Sequence, residues 1–140
     1  MCSEQNGAVM TTVGLRVPAD HRYLTMLRGL TETVLLLADF ALDEVTDLRV
    51  AIDEVATDLI DVAIENSTIE CDLTLAGRRI TVCINAIAIT RYVIEEDGLG
   101  WHVIRTITET PTANIGSYDH VAQGYPVTVE FARNSGRNSR

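Results

Sequence analysis

Glu54 and Asp58 stand four residues apart in "DLRVAIDEVATDLIDVA" (47–63), and Asp61 and Glu65 repeat the spacing. On a helix each pair sets like charges one above the other, at a cost of about 0.2–0.5 kcal/mol per pair. Carboxylates so placed could share a magnesium ion, because hard cations take oxygen ligands and Mg²⁺ commonly uses one or two carboxylates beside substrate phosphates. One of them could instead act as a general base. The same face could meet a basic partner or simply be solvated, and the spacing alone does not choose. A second candidate is "DGLGWHVIRTI" (97–107), where Gly98 and Gly100 could let backbone N–H groups and a helix N-terminus approach a phosphate. It is not a GxGxxG and does not follow directly from a strand, which disfavours a dinucleotide fold. His21, His102 and His120 are scattered without a carboxylate or cysteine at ligand spacing, and no serine sits in a nucleophile elbow.

These residues need elements to position them. The acidic face belongs to a helix whose apolar side is Val45, Leu48, Ile52, Val55, Leu59 and Val62, starting near Asp43 and running to about Glu65. Before it, "TVGLRVPA" reads as a strand ended by Pro18. Asp20 then caps a helix over roughly His21 to Ala38, with Leu24, Leu27, Leu30 and Val34 as its stripe. After it, "IECDLTLAGRRITVCINA" reads as a hairpin turning at Gly77-Arg78. A two-residue turn sets Leu75 opposite Ile80, Leu73 opposite Val82, Cys71 opposite Ile84 and Ile69 opposite Ala86, all on one apolar face. Cys83 then points to the other face, so Cys71 and Cys83 are expected to be unpaired, reduced thiols. "LGWHVIRTITE" is a third helix, with Trp101 packing at its start, and "PTANIGSY" and "YPVTVEFAR" are two final strands. The order β-α-α-β-β-α-β-β, with helices on one side, predicts an α+β fold, a two-layer α/β sandwich.

The composition fits that reading. At 140 residues and 46% hydrophobic content, the chain suits one globular domain able to bury its own core. We expect that domain over 12–133, with flexible ends at 1–11 and 134–140. A net charge of -9 argues against direct nucleic-acid binding, which needs a basic patch. No apolar run is long enough to span a bilayer, and "MCSEQNGAVM" has no signal-peptide pattern, so the expected location is cytoplasmic.

Taken together, the acidic helix carrying "DEVATDLIDVA", the hairpin and the Gly-x-Gly helix resemble the bacterial anti-sigma factor serine kinases of the RsbW and SpoIIAB type. Those belong to the GHKL group of ATPases, so the resemblance implies a Bergerat, histidine kinase-like ATPase fold with a mixed, mostly antiparallel sheet. It covers about Val13 to Arg133. In the family, a Glu serving as general base is followed four residues on by a magnesium-binding Asn; Glu54 falls on the Glu and Asp58 on the Asn. A carboxylate can still bind Mg²⁺, although it accepts hydrogen bonds only. Gly98 and Gly100 fall in the phosphate-facing places of the later glycine box.

Two parts of the family pattern are missing. Ala86 stands where the family has the Asp that accepts the adenine amino group, and Ala88 and Thr90 stand where it has glycines. The lid between the glycine boxes shrinks to a short stretch around "YVIEE". Arg28 matches, by its spacing to Glu54, an Arg the family uses to contact sigma and anti-anti-sigma proteins, and it reads as an exposed helix position. The resemblance thus implies an alternative sigma factor and a STAS-type anti-anti-sigma protein as partners, a homodimer, and a degraded site for ATP and Mg²⁺; because Thr81, Cys83 and Asn85 on the far sheet face are not strongly apolar, the dimer is expected to join through a strand edge. The rival expectation is an active serine kinase that phosphorylates its anti-anti-sigma antagonist.

Overall fold

The computed structural model describes residues 10–91 and 98–136. Five strands, β1 (Met10–Pro18), β2 (Thr68–Ala76), β3 (Arg79–Ala88), β4 (Glu109–Ile115) and β5 (Tyr125–Asn134), form one sheet in the order β1-β2-β3-β5-β4. Three helices accompany them: α1 (Leu24–Leu37), α2 (Leu42–Asp61) and α3 (Leu99–Ile107). Alternation along each strand gives the sheet two unlike faces. One register row runs Leu15, Cys71, Ile84, Val129, Ala113 across all five strands. These apolar positions join the core formed with Leu27, Leu48, Ile52, Val55 and Leu59 of the helices. The adjacent row, Arg16, Glu70, Asn85, Thr128, Asn114, is polar and belongs to the opposite face. There Arg16 pairs with Glu70, and the Thr128 hydroxyl donates to Asn85 Oδ1 at 2.6 Å.

The hairpin takes the expected register at Leu75↔Ile80, Leu73↔Val82 and Cys71↔Ile84. Gly77 sits at the turn with φ +60, a conformation that side chains with a Cβ resist. The sheet departs from the mixed form expected, because all four pairings among the described residues are antiparallel. β5 inserts between β3 and β4, so the β3–α3–β4 crossover skips one strand and leaves only antiparallel neighbours.

The helix ends also differ from expectation. The Asp20 carboxylate accepts from the Arg22 N–H at 2.9 Å, but the first turn it caps is a 3-10 turn, His21–Tyr23, ahead of α1. α2 begins at Leu42 rather than Asp43, and Glu44 reaches back to the Ala41 N–H at 2.8 Å. It stops at Asp61, four residues short of Glu65. The chain beyond is drawn onto the end of β3, with Ile89 N–H donating to Val62 O at 2.8 Å and Ile64 N–H to Ile87 O at 2.9 Å. Glu65 is therefore off the helix, and the expected Asp61/Glu65 stack does not form. Cys71 is free and buried. Cys83 lies on the other face as expected, but it is disulfide-bonded, so it is not the reduced thiol anticipated. No helix among the described residues is long and apolar enough to cross a membrane.

Candidate functional site

Glu54 and Asp58 lie one turn apart on α2, both half-buried. Burial, then the neighbouring Glu54 and Asp61 charges, push the Asp58 carboxyl above its ordinary range. Asp61 has an outlet that Asp58 lacks, since its Oδ1 lies 2.8 Å from His21 Nε2. The two glycines then part in role. Gly98 is the N-cap of α3 with ordinary extended angles, which any residue could adopt. Gly100 lies close to Glu54: a Cβ there would come within 2.8 Å of Glu54 Oε2, so a larger residue would displace that carboxylate. The fold thus brings Glu54 to the first turn of α3, which has no side-chain cap. A carboxylate at that end is favoured by the unpaired N–H groups and the helix dipole. Among the described residues no group of three or more His, Cys, Asp or Glu gathers as a metal site.

The adenine side of the expected pocket is apolar. Ala86 is 6% exposed and Ala88 fully buried. Neither side chain can accept a hydrogen bond from an adenine amino group. The Ala88 carbonyl is further crowded by Gly124, whose Cβ, if present, would lie 2.7 Å from that oxygen. The Ala86 and Ala88 side chains thus supply no hydrogen-bonding group on this side, while Glu54 and Gly100 do come together. The shortened lid around "YVIEE" lies outside the described residues.

Arg28 is placed differently from expectation. Its Nε donates to both carboxylate oxygens of Asp53 at 3.0 and 2.9 Å, bridging α1 to α2, and its side chain is 40% exposed. Glu32 and Arg49 make a second bridge between the same helices at 3.3 Å. Arg28 is thus a half-buried, ion-paired residue whose guanidinium is held in one position, not a free surface arginine.

Sequence reasoning passed over Glu44. This buried carboxylate accepts from the Gly136 N–H at 2.6 Å and the Ala41 N–H at 2.8 Å, and the Ser135 hydroxyl donates to it at 3.4 Å. Burial raises its pKa, but these hydrogen bonds and the Arg133 charge outweigh that and leave it below the ordinary carboxylate range. Arg133 is anchored to Asp47 at 2.8 Å and to the Ile107 carbonyl at 3.2 Å. A Glu three residues after a helix cap was a readable signal for the local bond. The bond to Gly136, ninety-two positions away, was not.

Over 97 residues the chain is 31% identical to the anti-sigma-F factor RsbW of Mycobacterium tuberculosis, with the same identity to the proteins of strains CDC 1551 / Oshkosh and H37Rv. The match covers 69% of this chain and 58% of each relative, so the chain spans less than two-thirds of the length of the curated relatives it matches. No protein-family model matches the chain.

Proposed function

We propose that the chain is an anti-sigma factor: it sequesters an alternative sigma subunit in the cytoplasm and is relieved by a STAS-type anti-anti-sigma protein. The observation that carries this reading is the similarity to the anti-sigma-F factor RsbW of Mycobacterium tuberculosis. The element order and the open antiparallel sheet with α1 and α2 packed together agree with a histidine kinase-like ATPase domain over 12–133. In this reading the domain works as a homodimer, and Arg28, held in place by Asp53, is part of the partner surface. Mg-ATP binds weakly or not at all, because Ala86 offers adenine no acceptor. Loss of a charge-assisted hydrogen bond worth about 1.5–3 kcal/mol lowers affinity by a factor of about ten to a hundred.

A second reading, an active serine kinase acting on the antagonist, draws on one observation: Glu54 lies against Gly100 at the start of α3. There Glu54 is the general base and Asp58 the magnesium ligand. Affinity purification of the tagged chain from its native cell, with mass-spectrometric identification of what it holds, tests the main reading. A sigma subunit is expected in stoichiometric amount. Its absence under all growth and stress conditions contradicts the proposal.

A further inference from the structure

Cys83 sits near the middle of β3, in the register row Gly14, Asp72, Cys83, Glu130 on the sheet face turned away from the helices. It is 2% exposed, although Thr81 and Asn85 on either side of it are only partly buried. Asn85 Nδ2 donates to its Sγ at 3.5 Å. Cys83 is disulfide-bonded, and the chain has three cysteines, Cys2, Cys71 and Cys83. Cys71 is a free thiol buried on the core face, which leaves Cys2 as the other half of the bond. The register allows it. Cys83 lies two strands from β1, level with Gly14, four positions beyond Met10. That is about 13 Å along the strands and about 10 Å across them, about 16 Å in a straight line. The eight links from Cys2 to Met10 extend to at most about 26 Å, enough for the chain ahead of β1 to turn back over the outer face and end on Cys83.

We propose that Cys2 and Cys83 form a reducible clasp, which holds the segment ahead of β1 across the outer sheet face and releases it in reducing conditions. It rests on the cytoplasmic location of the proposed function, though not on what the chain binds there. Disulfides in that compartment are mostly transient and redox-sensing, because small thiols keep cysteines reduced. The fold itself does not need the bond. A chain of 140 residues closes a core between helices and sheet without a cross-link. The bond ties down only an edge strand, whose first three residues, Met10 to Thr12, are exposed. Closing the clasp takes a two-electron oxidant, the disulfide of a low-molecular-weight thiol. One protein thiolate attacks it and expels one small thiol, and the second protein thiolate displaces the other from the mixed disulfide. Two protein thiols become one disulfide while the small disulfide becomes two thiols, and the two protons pass from the protein sulfurs to the departing ones. An excess of the small thiol runs the same exchange in reverse.

The test is a titration of the full chain in buffers of reduced and oxidised glutathione, with free thiols trapped by alkylation and mapped by mass spectrometry after proteolysis. The oxidised chain is expected to yield a Cys2–Cys83 cross-linked peptide and to run near 15.4 kDa on a non-reducing gel, with Cys71 alkylated only after unfolding. Reduction should lower the thermal midpoint by several degrees, since it opens a long closed loop, and should speed amide exchange over Met10–Val13 while the other strands keep their protection. Cys2→Ser and Cys83→Ser should each melt and exchange as the reduced native chain does, with no response to glutathione. A Cys83 linked to a second copy, seen at twice the mass, overturns the pairing. So does a chain whose thiols all stay reduced across the titration. A Cys2–Cys83 bond that resists glutathione until the chain unfolds is a permanent staple and overturns the switch. Sigma capture by the oxidised and reduced chains tests the proposed function separately: its absence from both contradicts that function, while the peptide map still decides the clasp.

Discussion

Along α2, Glu44, Asp47, Arg49 and Asp53 each meet a partner from outside the helix: the Gly136 N–H, Arg133, Glu32 and Arg28. Beginning at the next residue, Glu54 and Asp58 meet no cation among the described residues, and Asp58 is left with a pKa raised by burial and by like charges. The first group ties the helix to α1, β5 and the chain beyond β5. The second contributes nothing comparable to holding the fold together. Of the second pair, Glu54 lies beside Gly100 at the start of α3, while the paired group holds Arg28 against Asp53.

The largest break in this contrast is expected at Glu44. Glu44→Ala strands the Gly136 and Ala41 N–H groups and should cost about 2–3 kcal/mol, a fall of about 5–10 °C in thermal midpoint. Because the Glu44 pKa is lowered in the fold, its contribution is present above the ordinary carboxylate pKa of 4.5 and is lost as pH falls through the folded value. Melts of the native chain and Glu44→Gln should therefore converge in acid.

Arg28→Glu comes next. It should weaken capture of the sigma subunit by at least about 2 kcal/mol, about thirtyfold in Kd. It should also lower stability modestly, because it sets a second carboxylate against Asp53. Adding Asp53→Arg restores the ion pair in reverse. We expect that double variant to recover its melting temperature but not its binding, measured by titration calorimetry. Recovery of both would assign Arg28 to helix pairing alone.

Asp58→Asn is the smallest and acts in the opposite direction. Removing one like charge should stabilise the fold by about 0.2–0.5 kcal/mol at pH 7. The raised pKa makes the penalty present above the folded value and relieved as pH falls through it, so the gain should vanish in acid. Paired urea titrations at pH 7 and pH 4 measure it.

What was legible in the sequence follows from what is local. The β2–β3 register could be read because alternation and a two-residue turn leave one pairing with all apolar residues on a face. The end of α2 could not, because helical spacing continues through Val62 while hydrogen bonds to the distant end of β3 draw the chain away. The same holds for Arg28: its spacing marked it as a candidate, but its partner Asp53 is set by how two helices pack. The meeting of Glu54 with Gly100 came from resemblance rather than periodicity, because it depends on how α2 and α3 pack, which is visible only in three dimensions.

Transfer of labelled phosphate from Mg-ATP to the anti-anti-sigma antagonist, run with the native chain and with Glu54→Gln, tests most directly the claim that partner binding has outlasted catalysis. The account predicts no transfer from either, with the sigma subunit captured equally with and without nucleotide. Transfer by the native chain that Glu54→Gln abolishes would contradict it, and would make Glu54 a working general base.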